Sequence, residues 1–596
     1  MCCMYLKTLC INVCQNKFYN QFLFFVLVCL FFQQVKAMIM LVVLLIASMF
    51  RQGLTVVSYG DNFITAFPEN LGFFHPEHPW NYLKVTALYD DTTFTVFYQN
   101  TQKDLKIQQS GQTMNVLFPK SAEVYQLGSS TASVRVTSDK KITVVSLSKQ
   151  ATSTQTSVVQ PTVNLGTDYL IPLLDYPGYL ESFNLSMLVR TTMRYSSFKL
   201  LIINAVNSQN TITVVRQTSA GAQEETFDID PYQLVQLQNN NSVLRVRSSK
   251  EVAVILTHPC VETGDCYCNM IMNQILPTKF QGLSFIVPSI FKVAETQLLV
   301  LSESPSSLFH NGTQLEANPS GLLPFSNLET SQLVNASERA SLRLLSPGLI
   351  VELIPDTMFF ACYLLQFSTQ NGKAVVIAET DSKDDVRTHN GLLSASEWTE
   401  IAGTKYSSTE VTIQDQRATI WHPTSKIAVY MLEYVRMKVL FGGPAIPITE
   451  KPDLHGCALV PGAFAVGPDP LSWTESFEFC KNNGKQFACP VSKAVLKDMA
   501  DNLTTENGTG WIGLRRSLLT TEWYWQEEYE PNVDYVHWDD GQPLDHLKGL
   551  CASMSLDPEN DFKWQSARCC DKKKPVCYKR PVCLNPSQNW FLNTIP

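Results

Sequence analysis

Histidine and cysteine side chains with the chemistry of a metal site occur in two short segments. His258, Cys260, Cys266 and Cys268 lie close enough in the sequence to form a zinc site. In an exported chain such cysteines form disulfides instead, and we expect disulfides here. The second segment, 75–79, is His-Pro-Glu-His-Pro, and its two prolines hold the chain extended, so no helix presents both rings on one face. We therefore predict no metal site in either segment.

The residue patterns of common catalytic sites do not occur in the sequence. It contains no Gly-x-Ser-x-Gly elbow, no phosphate-binding loop and no His-Glu-x-x-His pair. We therefore predict a protein that is not an enzyme, with no catalytic residue and no cofactor. The net charge of -8 and the pI near 5.7 give no indication of a basic surface, which argues against a nucleic acid partner.

The start of the chain has the pattern of a targeting segment. Two apolar runs, 22–32 and 38–50, are separated by a short polar stretch. Each run is shorter than the ~20 residues that cross a bilayer and has the length of the apolar part of a signal peptide. We predict a leader over 1–54. Translation from Met38, and retention of both runs as a membrane anchor, are alternatives that the sequence leaves open.

Cysteine and asparagine patterns also favour export. The chain has 17 cysteines, and the number beyond the predicted leader is even, as expected for a secreted disulfide-bonded protein. Asn-x-Ser/Thr acceptors permit N-glycosylation. These acceptors are Asn184, Asn240, Asn311, Asn335, Asn502 and Asn507. We predict a secreted, extracellular glycoprotein.

Residues 55–440 have the pattern of a repeated all-β array. Apolar and polar residues alternate between turns rich in Asp, Asn, Gly and Ser. The stretch 134–144 recurs at 244–254, a spacing of 248 − 138 = 110 residues, with weaker echoes at 354–359 and 421–429. We interpret each copy as a hairpin. The predicted fold is mainly β, with sandwich-like repeats; a propeller of paired four-stranded blades is the alternative.

A different composition follows the array. Residues 441–453 contain two glycines and three prolines, and we expect a stiff linker there. The next segment, 454–583, has the cysteines and tryptophans of a small domain held together by disulfides, and a tail covers 584–596. The residues that mark this domain are Trp473, Cys480, Trp511, Trp523, Trp525, Trp538, Cys551, Trp564, Cys569 and Cys577.

Five segments of the array carry a family resemblance, namely 60–67, 252–260, 268–277, 285–288 and 398–407. They resemble the N-terminal domain of the IgGFc-binding protein family, a secreted mucus component. This resemblance implies an extracellular, mucosal binding role, with immunoglobulin or mucin as candidate partners. It also implies a disulfide between Cys260 and Cys268, which leaves Cys266 and Cys362 as candidates for a second bridge.

The C-terminal segment resembles a C-type lectin domain, which implies an α+β fold. In that family the cysteine of the first helix pairs with one in the last strand, here Cys480 with Cys577. A second pair closes a loop, here Cys551 with Cys569. The remaining cysteines allow three connectivities, and we favour Cys457 with Cys583 because the two ends of such a domain meet in one sheet. The other two remaining cysteines are Cys489 and Cys570.

Calcium-dependent sugar binding in that family needs oxygen donors in two triplets, Glu-Pro-Asn or Gln-Pro-Asp and Trp-Asn-Asp, with a further acidic residue between them. Here the triplets are 542–544, Gln-Pro-Leu, and 564–566, Trp-Gln-Ser, and Gly549 or Leu550 takes the acidic position. Leucine offers no oxygen and serine offers no charge. We therefore predict a lectin-like domain that works without calcium. The candidate ligand contacts are Gln542, Asp545, Gln565 and Trp538.

Together these patterns predict a secreted recognition protein, mucosal or innate-immune in role, that binds an extracellular protein or glycan. One alternative is a calcium-dependent carbohydrate-binding lectin that uses Gln542 and Asp545. Another is a structural component of mucus or matrix.

Overall fold

The structure is a computed structural model that describes residues 56–71, 79–150, 153–183, 185, 197–218, 221–239, 242–264, 267–290, 296–310, 313–317, 321–325, 329–368, 370, 372–394, 397–435, 438–503, 508–526, 533–584 and 590–594. The expected leader, 1–54, lies outside these ranges. So do other residues singled out in the sequence, namely His75, His78, Asn184, Asn240, Cys266, Asn311 and Asn507. Of the other glycosylation candidates, Asn335 lies in a strand and Asn502 ends a helix.

Strands dominate the array, which we divide into four modules. The first stretch of chain contains Tyr59–Pro68 (β1), Trp80–Ala87 (β2), Thr92–Tyr98 (β3), Thr101–Ile107 (β4), Thr113–Phe118 (β5), Glu123–Val124 (β6), Gly128–Ser130 (β7), Ser133–Gln150 (β8) and Ser153–Val159 (β9). The second contains Gly166–Leu170 (β10), the helix Tyr176–Glu181 (α1), Phe198–Asn204 (β11), Asn210–Thr218 (β12), Gly221–Ile229 (β13), Leu234–Asn239 (β14), Val243–Gly264 (β15) and Tyr267–Ile275 (β16).

The third and fourth modules follow without a break in pattern. The third contains Gly282–Val287 (β17), Gln297–Ser302 (β18), Ser306–His310 (β19), Thr313–Ala317 (β20), Gly321–Pro324 (β21), Gln332–Ser346 (β22) and Leu349–Glu352 (β23). The fourth contains Cys362–Gln366 (β24), Gly372–Glu379 (β25), Arg387–Thr388 (β26), Gly391–Leu392 (β27), Thr399–Glu400 (β28), Tyr406–Ile413 (β29), Arg417–Trp421 (β30), Ala428–Val435 (β31), Lys438–Pro444 (β32) and Ile446–Thr449 (β33).

One long strand organises each of the first three modules. In the first module, the N-terminal half of β8 pairs with β1 and β3, and its C-terminal half pairs with β2 and β9. The strands β15 and β22 make the equivalent pairings in the second and third modules. Each module is therefore two four-stranded sheets that share a bent strand. In the fourth module the shared strand is interrupted, and β30 and β31 take its two halves.

The sequence repeat lies at this bend. Ser138 Oγ donates to Lys140 O at 2.7 Å, and Ser248 Oγ donates to Lys250 O at the same distance. The expected hairpins are wrong, because each copy is one continuous strand whose exposed polar bend resembles a turn in sequence. The echo at 421–429 falls on the equivalent break. The echo at 354–359 does not, since it covers the single 3₁₀ turn Asp356–Met358.

Adjacent modules share their hydrophobic cores. Leu201 of the second module packs into the core of the first, and Leu299 of the third packs into the core of the second. Val375 of the fourth module packs into the core of the third. Because the two faces of one strand contribute to different clusters, each sheet is buried on both sides.

The fourth module also packs against the first. Leu88 and Val145 of the first module share a cluster with Leu364 and Ile446 of the fourth. Within the described residues the four modules therefore form a closed ring of eight small sheets. The predicted mainly-β repeated array is confirmed, and its arrangement is that of the propeller alternative rather than of stacked sandwiches.

Residues 441–449 of the expected linker lie in strands β32 and β33, which pair with β31 and β24. Phe441, Ile446 and Ile448 are buried. Burial of these apolar side chains in the core determines the structure more strongly than the glycines and prolines do. Pro447 is tolerated because β33 lies at the edge of its sheet.

The C-terminal domain has two helices beside a seven-stranded sheet, which confirms the predicted α+β fold. Ser472 and Glu475 form a capping box at the start of the first helix. The helices are Trp473–Asn482 (α2) and Lys493–Asn502 (α3). The strands are Ala458–Val460 (β34), Ala463–Val466 (β35), Gln486–Phe487 (β36), Thr509–Arg516 (β37), Trp523–Trp525 (β38), Cys551–Ser555 (β39), Trp564–Ala567 (β40), Lys574–Lys579 (β41) and Val582–Cys583 (β42).

Disulfides join these elements. Cys480 bonds to Cys577, Cys551 to Cys569, and Cys260 to Cys268, the three pairs that the resemblances imply. A fourth pair differs from expectation, because Cys457 bonds to Cys362 of the array and not to Cys583. The ends of the domain do meet, through pairing of β34 with β42. The nearest partner for Cys457, however, comes from the neighbouring module.

The expected tail also joins the array. Trp590–Thr594 (β43) pairs in parallel with β5 at the outer edge of the first module. The lectin-like domain is thus attached to the fourth module at its start and to the first module at its end. No helix in the described ranges is long and apolar enough to span a membrane.

A close glycine–proline contact accompanies the first strand of the first three modules. A Cβ on the glycine would approach the proline Cβ far more closely than carbon atoms can. The pairs are Gly60 with Pro161 (2.5 Å), Gly166 with Pro277 (2.7 Å) and Gly282 with Pro355 (2.4 Å).

We predict that Gly282→Ala destabilises the array by about 1–3 kcal/mol, because a rigid proline ring must move to admit the methyl group. Thermal unfolding followed by circular dichroism measures the effect. The control is Gly443→Ala, whose Cβ would meet Phe441 Cζ at an ordinary 3.7 Å. Equal melting temperatures for the two variants would contradict the prediction.

Candidate functional site

The candidate site lies on the loops of the lectin-like domain between β38 and β40. Strands β37, β39 and β40 form the sheet beneath these loops. The Cys551–Cys569 disulfide fixes the start of β39 close to the end of β40. A rigid sheet thus positions the side chains of the loop 539–550, which contains two of the four predicted contacts, Gln542 and Asp545.

Gln542 makes its contacts within the protein. Its Oε1 accepts hydrogen bonds from Ser566 N at 3.0 Å and from Ser566 Oγ at 2.9 Å. Ser566 Oγ in turn accepts from Leu544 N at 2.7 Å. Gln542 Oε1, the oxygen that would bind a cation, is therefore hydrogen-bonded to Ser566. The position that would supply a further oxygen donor is occupied by Leu544.

Gln565 is also engaged by the protein. Its Nε2 donates to Asp539 Oδ2 at 3.1 Å, and Lys563 Nζ lies 3.7 Å from Asp539 Oδ1. The hydrogen bond from Gln565, the backbone N–H of Asp540 and the charge of Lys563 lower the pKa of Asp539. Asp539 is thus neutralised by a nearby ammonium rather than left available to a metal ion.

Asp545 does not join the other predicted contacts. Its Oδ1 accepts from Leu547 N at 2.9 Å and lies 3.5 Å from His546 Nδ1. The backbone hydrogen bond from Leu547, together with nearby positive charge, lowers the pKa of Asp545. The Asp545 carboxylate is thus engaged within its own exposed loop. Within the described residues, no group of three or more His, Cys, Asp or Glu side chains could hold a metal ion.

Trp538 belongs to an aromatic cluster that is partly exposed. Its ring lies 4.9 Å from that of Trp523 and 5.8 Å from that of the buried Trp564. Trp525 and Tyr535 pack on Trp564 from other sides. These contacts make Trp538 partly a core residue, and its exposed edge borders the loops.

Sequence reasoning missed an apolar surface beside this cluster, which we call the leucine patch. It consists of Leu518 (76% exposed), Leu519 (96%), Leu544 (37%) and Leu547 (85%). Arg516 connects the two loops that carry these leucines, since it donates to Thr521 O at 2.6 Å and to Leu544 O at 3.4 Å. A Leu-Leu pair in a turn between strands is the sequence signal that could have revealed it.

Comparisons with known proteins divide the chain in the same way. The family model described as IgGFc binding protein matches residues 155–432, and that described as Lectin C-type domain matches residues 469–579. The class defined by these two domains is an extracellular recognition protein, and both families are binding families rather than enzyme families. The chain carries an IgGFc-binding domain followed by a C-type lectin domain.

Individual relatives match one part each. The human IgGFc-binding protein is 22% identical over 386 residues, which is 59% of this chain and 7% of that protein. Human lithostathine-1-beta is 26% identical over 113 residues, 18% of this chain and 66% of that protein. The chain thus spans only a small part of the first relative and about two thirds of the second.

A solved structure of human lithostathine is 22% identical, with a TM-score of 0.18, over 20% of this chain and 92% of the other.

We predict that Ser566→Ala loosens the loop 542–547. The change removes the acceptor of Leu544 N and one donor to Gln542, which costs about 1 kcal/mol. Hydrogen exchange at the Leu544 amide should become faster. The control is Thr474→Ala, an exposed position on α2. Unchanged exchange at Leu544 would show that the serine does not hold this loop.

Proposed function

We propose that the protein is a secreted recognition protein of mucosal or innate-immune type, and that its lectin-like domain binds an extracellular protein or glycan without calcium. The observation that carries the proposal is the use of Gln542 Oε1 by Ser566. A hard cation takes six to eight oxygens, and here the protein supplies its own donors to the oxygens nearest the expected position.

Secretion is supported by the covalent structure. Disulfides form and persist in oxidising compartments. The structure contains four of them in the described residues, and they are spread over the array, the lectin-like domain and the junction between the two.

The leucine patch supports a binding role for the loops. Exposed apolar side chains that are grouped together, rather than scattered, commonly mark an interaction site. Arg516, which connects their two loops, lies over the ring of Trp523 at 5.8 Å. Aromatic residues with one exposed edge suit a protein surface or a stacked sugar ring. Such contacts depend on shape and apolar area, which need no metal ion.

The array is the second part of the chain that is proposed to bind a ligand. The name of the human relative associates that protein with the Fc part of immunoglobulin G. We therefore include an immunoglobulin G Fc fragment among the probes, together with mucin glycans.

We predict that calorimetry of the full secreted chain shows no micromolar calcium binding. The double variant Leu544→Asp/Ser566→Asp adds two carboxylates beside Gln542 and should gain measurable calcium affinity. The single variant Thr474→Asp adds a carboxylate away from the loop and should gain none. Micromolar uptake by the unaltered chain would overturn calcium independence and favour the calcium-dependent lectin.

We predict that any ligand found on a glycan array or in a mucin or Fc binding assay is retained in the presence of a chelator. The variant Leu547→Lys places a charge in the leucine patch and should weaken that binding at least about tenfold, equivalent to ~1.4 kcal/mol. Leu392→Lys, at an exposed leucine of the array, is the matched control. Loss of binding on chelation, or equal binding by both variants, would contradict the proposed site.

A further inference from the structure

A polar pocket lies where the ring of the array closes. It has a volume of about 200 Å³ and lies between strands of the first module and strands of the fourth. We call it the Lys84 pocket. Its polar lining includes Tyr82, Lys84, Asn115, Gln366, Ser368 and Arg417. The rest of the contact between the first and fourth modules contains an apolar cluster, so a polar cavity beside it needs an explanation.

Lys84 supplies a positive charge to the pocket. Its Nζ donates to Phe367 O of the fourth module at 2.6 Å. The Lys84 ammonium has three donor hydrogens, and one acceptor for them, Phe367 O, is found among the described residues. Arg417, which is 6% exposed, adds a second cation, with its Nη1 donating to Gly111 O at 3.3 Å.

The negative charge nearby is already engaged. Glu433, 3% exposed, accepts hydrogen bonds from the backbone N–H and the hydroxyl of Ser368. Burial raises the pKa of the Glu433 carboxyl, an effect opposed by Ser368 and by Lys84. With Lys84 and Arg417 charged, the pocket carries excess positive charge whether or not Glu433 is ionised, and so favours an anion.

Two oxygen acceptors in the same pocket lack donors. Gln366 is 1% exposed, and its Nε2 donates to Thr86 Oγ1. Its Oε1 has no partner among the described residues, nor has Asn115 Oδ1. Asn115 stands directly opposite Lys84 across the β2–β5 ladder. A buried acceptor without a donor costs about 1–3 kcal/mol, so both atoms call for donor groups.

We propose that the Lys84 pocket binds a small hydroxylated carboxylate, of the chemical class of acidic monosaccharides. The carboxylate lies against Lys84, and hydroxyl groups donate to Gln366 Oε1 and Asn115 Oδ1. This site is independent of the lectin-like domain. Because the ligand contacts both the first and the fourth module, binding also stabilises the closed ring.

Binding at this site depends on pH in a defined direction. Burial lowers the pKa of Lys84 to about 8, opposed by Glu433 and reinforced by Arg417 and Lys149. Lys84 is therefore charged below about pH 8 and neutral well above it. Tyr82 also faces this group, and burial raises its pKa to about 12, so it stays neutral over this range. Affinity for a carboxylate should fall as the pH rises from 7 to 10.

The test uses the full secreted chain with D-glucuronate and N-acetylneuraminate, and with neutral D-glucose for comparison. We expect saturable binding of at least one acid at pH 7, a higher melting temperature with it, and weaker binding at pH 10. Lys84→Met should reduce affinity at least about tenfold, since a hydrogen bond to a charged group is worth ~1.5–3 kcal/mol. Lys106→Met, at an exposed lysine of the same module, should not.

Two further variants keep the test decisive. Glu433→Gln retains an acceptor for Ser368 but removes the charge that opposes the lowering of the Lys84 pKa, so the loss of affinity with rising pH should begin at a lower pH. The double variant Lys84→Met/Glu433→Gln leaves no uncompensated charge between these two residues, so it should fold and bind weakly even if Lys84→Met alone unfolds. Leu547→Lys should bind the acid normally, which separates this site from the leucine patch. No saturable binding, equal binding of glucose, or unchanged affinity without Lys84 would overturn the proposal.

Discussion

The array depends on one strand in each of the first three modules that is too long for a single sheet. A strand such as β8 pairs with two different sets of neighbours along its length, so it holds two four-stranded sheets at a fixed angle. Because the strand continues through its bend, it belongs to both sheets of the module and no loop is needed to connect them. Four such pairs, packed face to face, return the fourth module to the first. Ring closure therefore follows from a local feature repeated along the chain.

The repeat could be predicted from the sequence, but the way it folds could not. Residues 138 and 248 were recognised as equivalent, and both make the same serine-to-carbonyl contact. Alternation of apolar and polar residues is the same along a bent strand as along two strands of a hairpin, so this pattern could not distinguish them. Closure of the ring could not be predicted from local sequence patterns either, because it joins residues that are far apart in the chain. The hydrogen bond between Gln366 and Thr86, for example, spans 280 positions.

In the lectin-like domain the sequence was most informative where a specific chemical group was missing. Leu544 and Ser566 indicate that two donors of a calcium cage are absent, and in the structure hydrogen bonds within the protein hold the loop. Ser566 contacts both Gln542 and the backbone N–H of Leu544, so one hydroxyl on β40 holds the loop 539–550. The leucine patch was not predicted, because exposure depends on how two loops meet. The partner of Cys457 was missed because a likeness to isolated domains contains no neighbouring module.

The lectin-like domain also has a structural consequence for the array. Its first strand follows β33, Cys457 is bonded to Cys362, and its C-terminal extension adds β43 to the first module. Cys457 and Leu584 share the cluster that closes the ring. Closing a loop of several hundred residues costs conformational entropy, though the cost grows only slowly with length. A domain bonded to the fourth module and paired with the first offsets part of that cost. The same attachment restrains the orientation of the leucine patch relative to the ring, so a ligand that contacts both domains meets them in a limited range of arrangements.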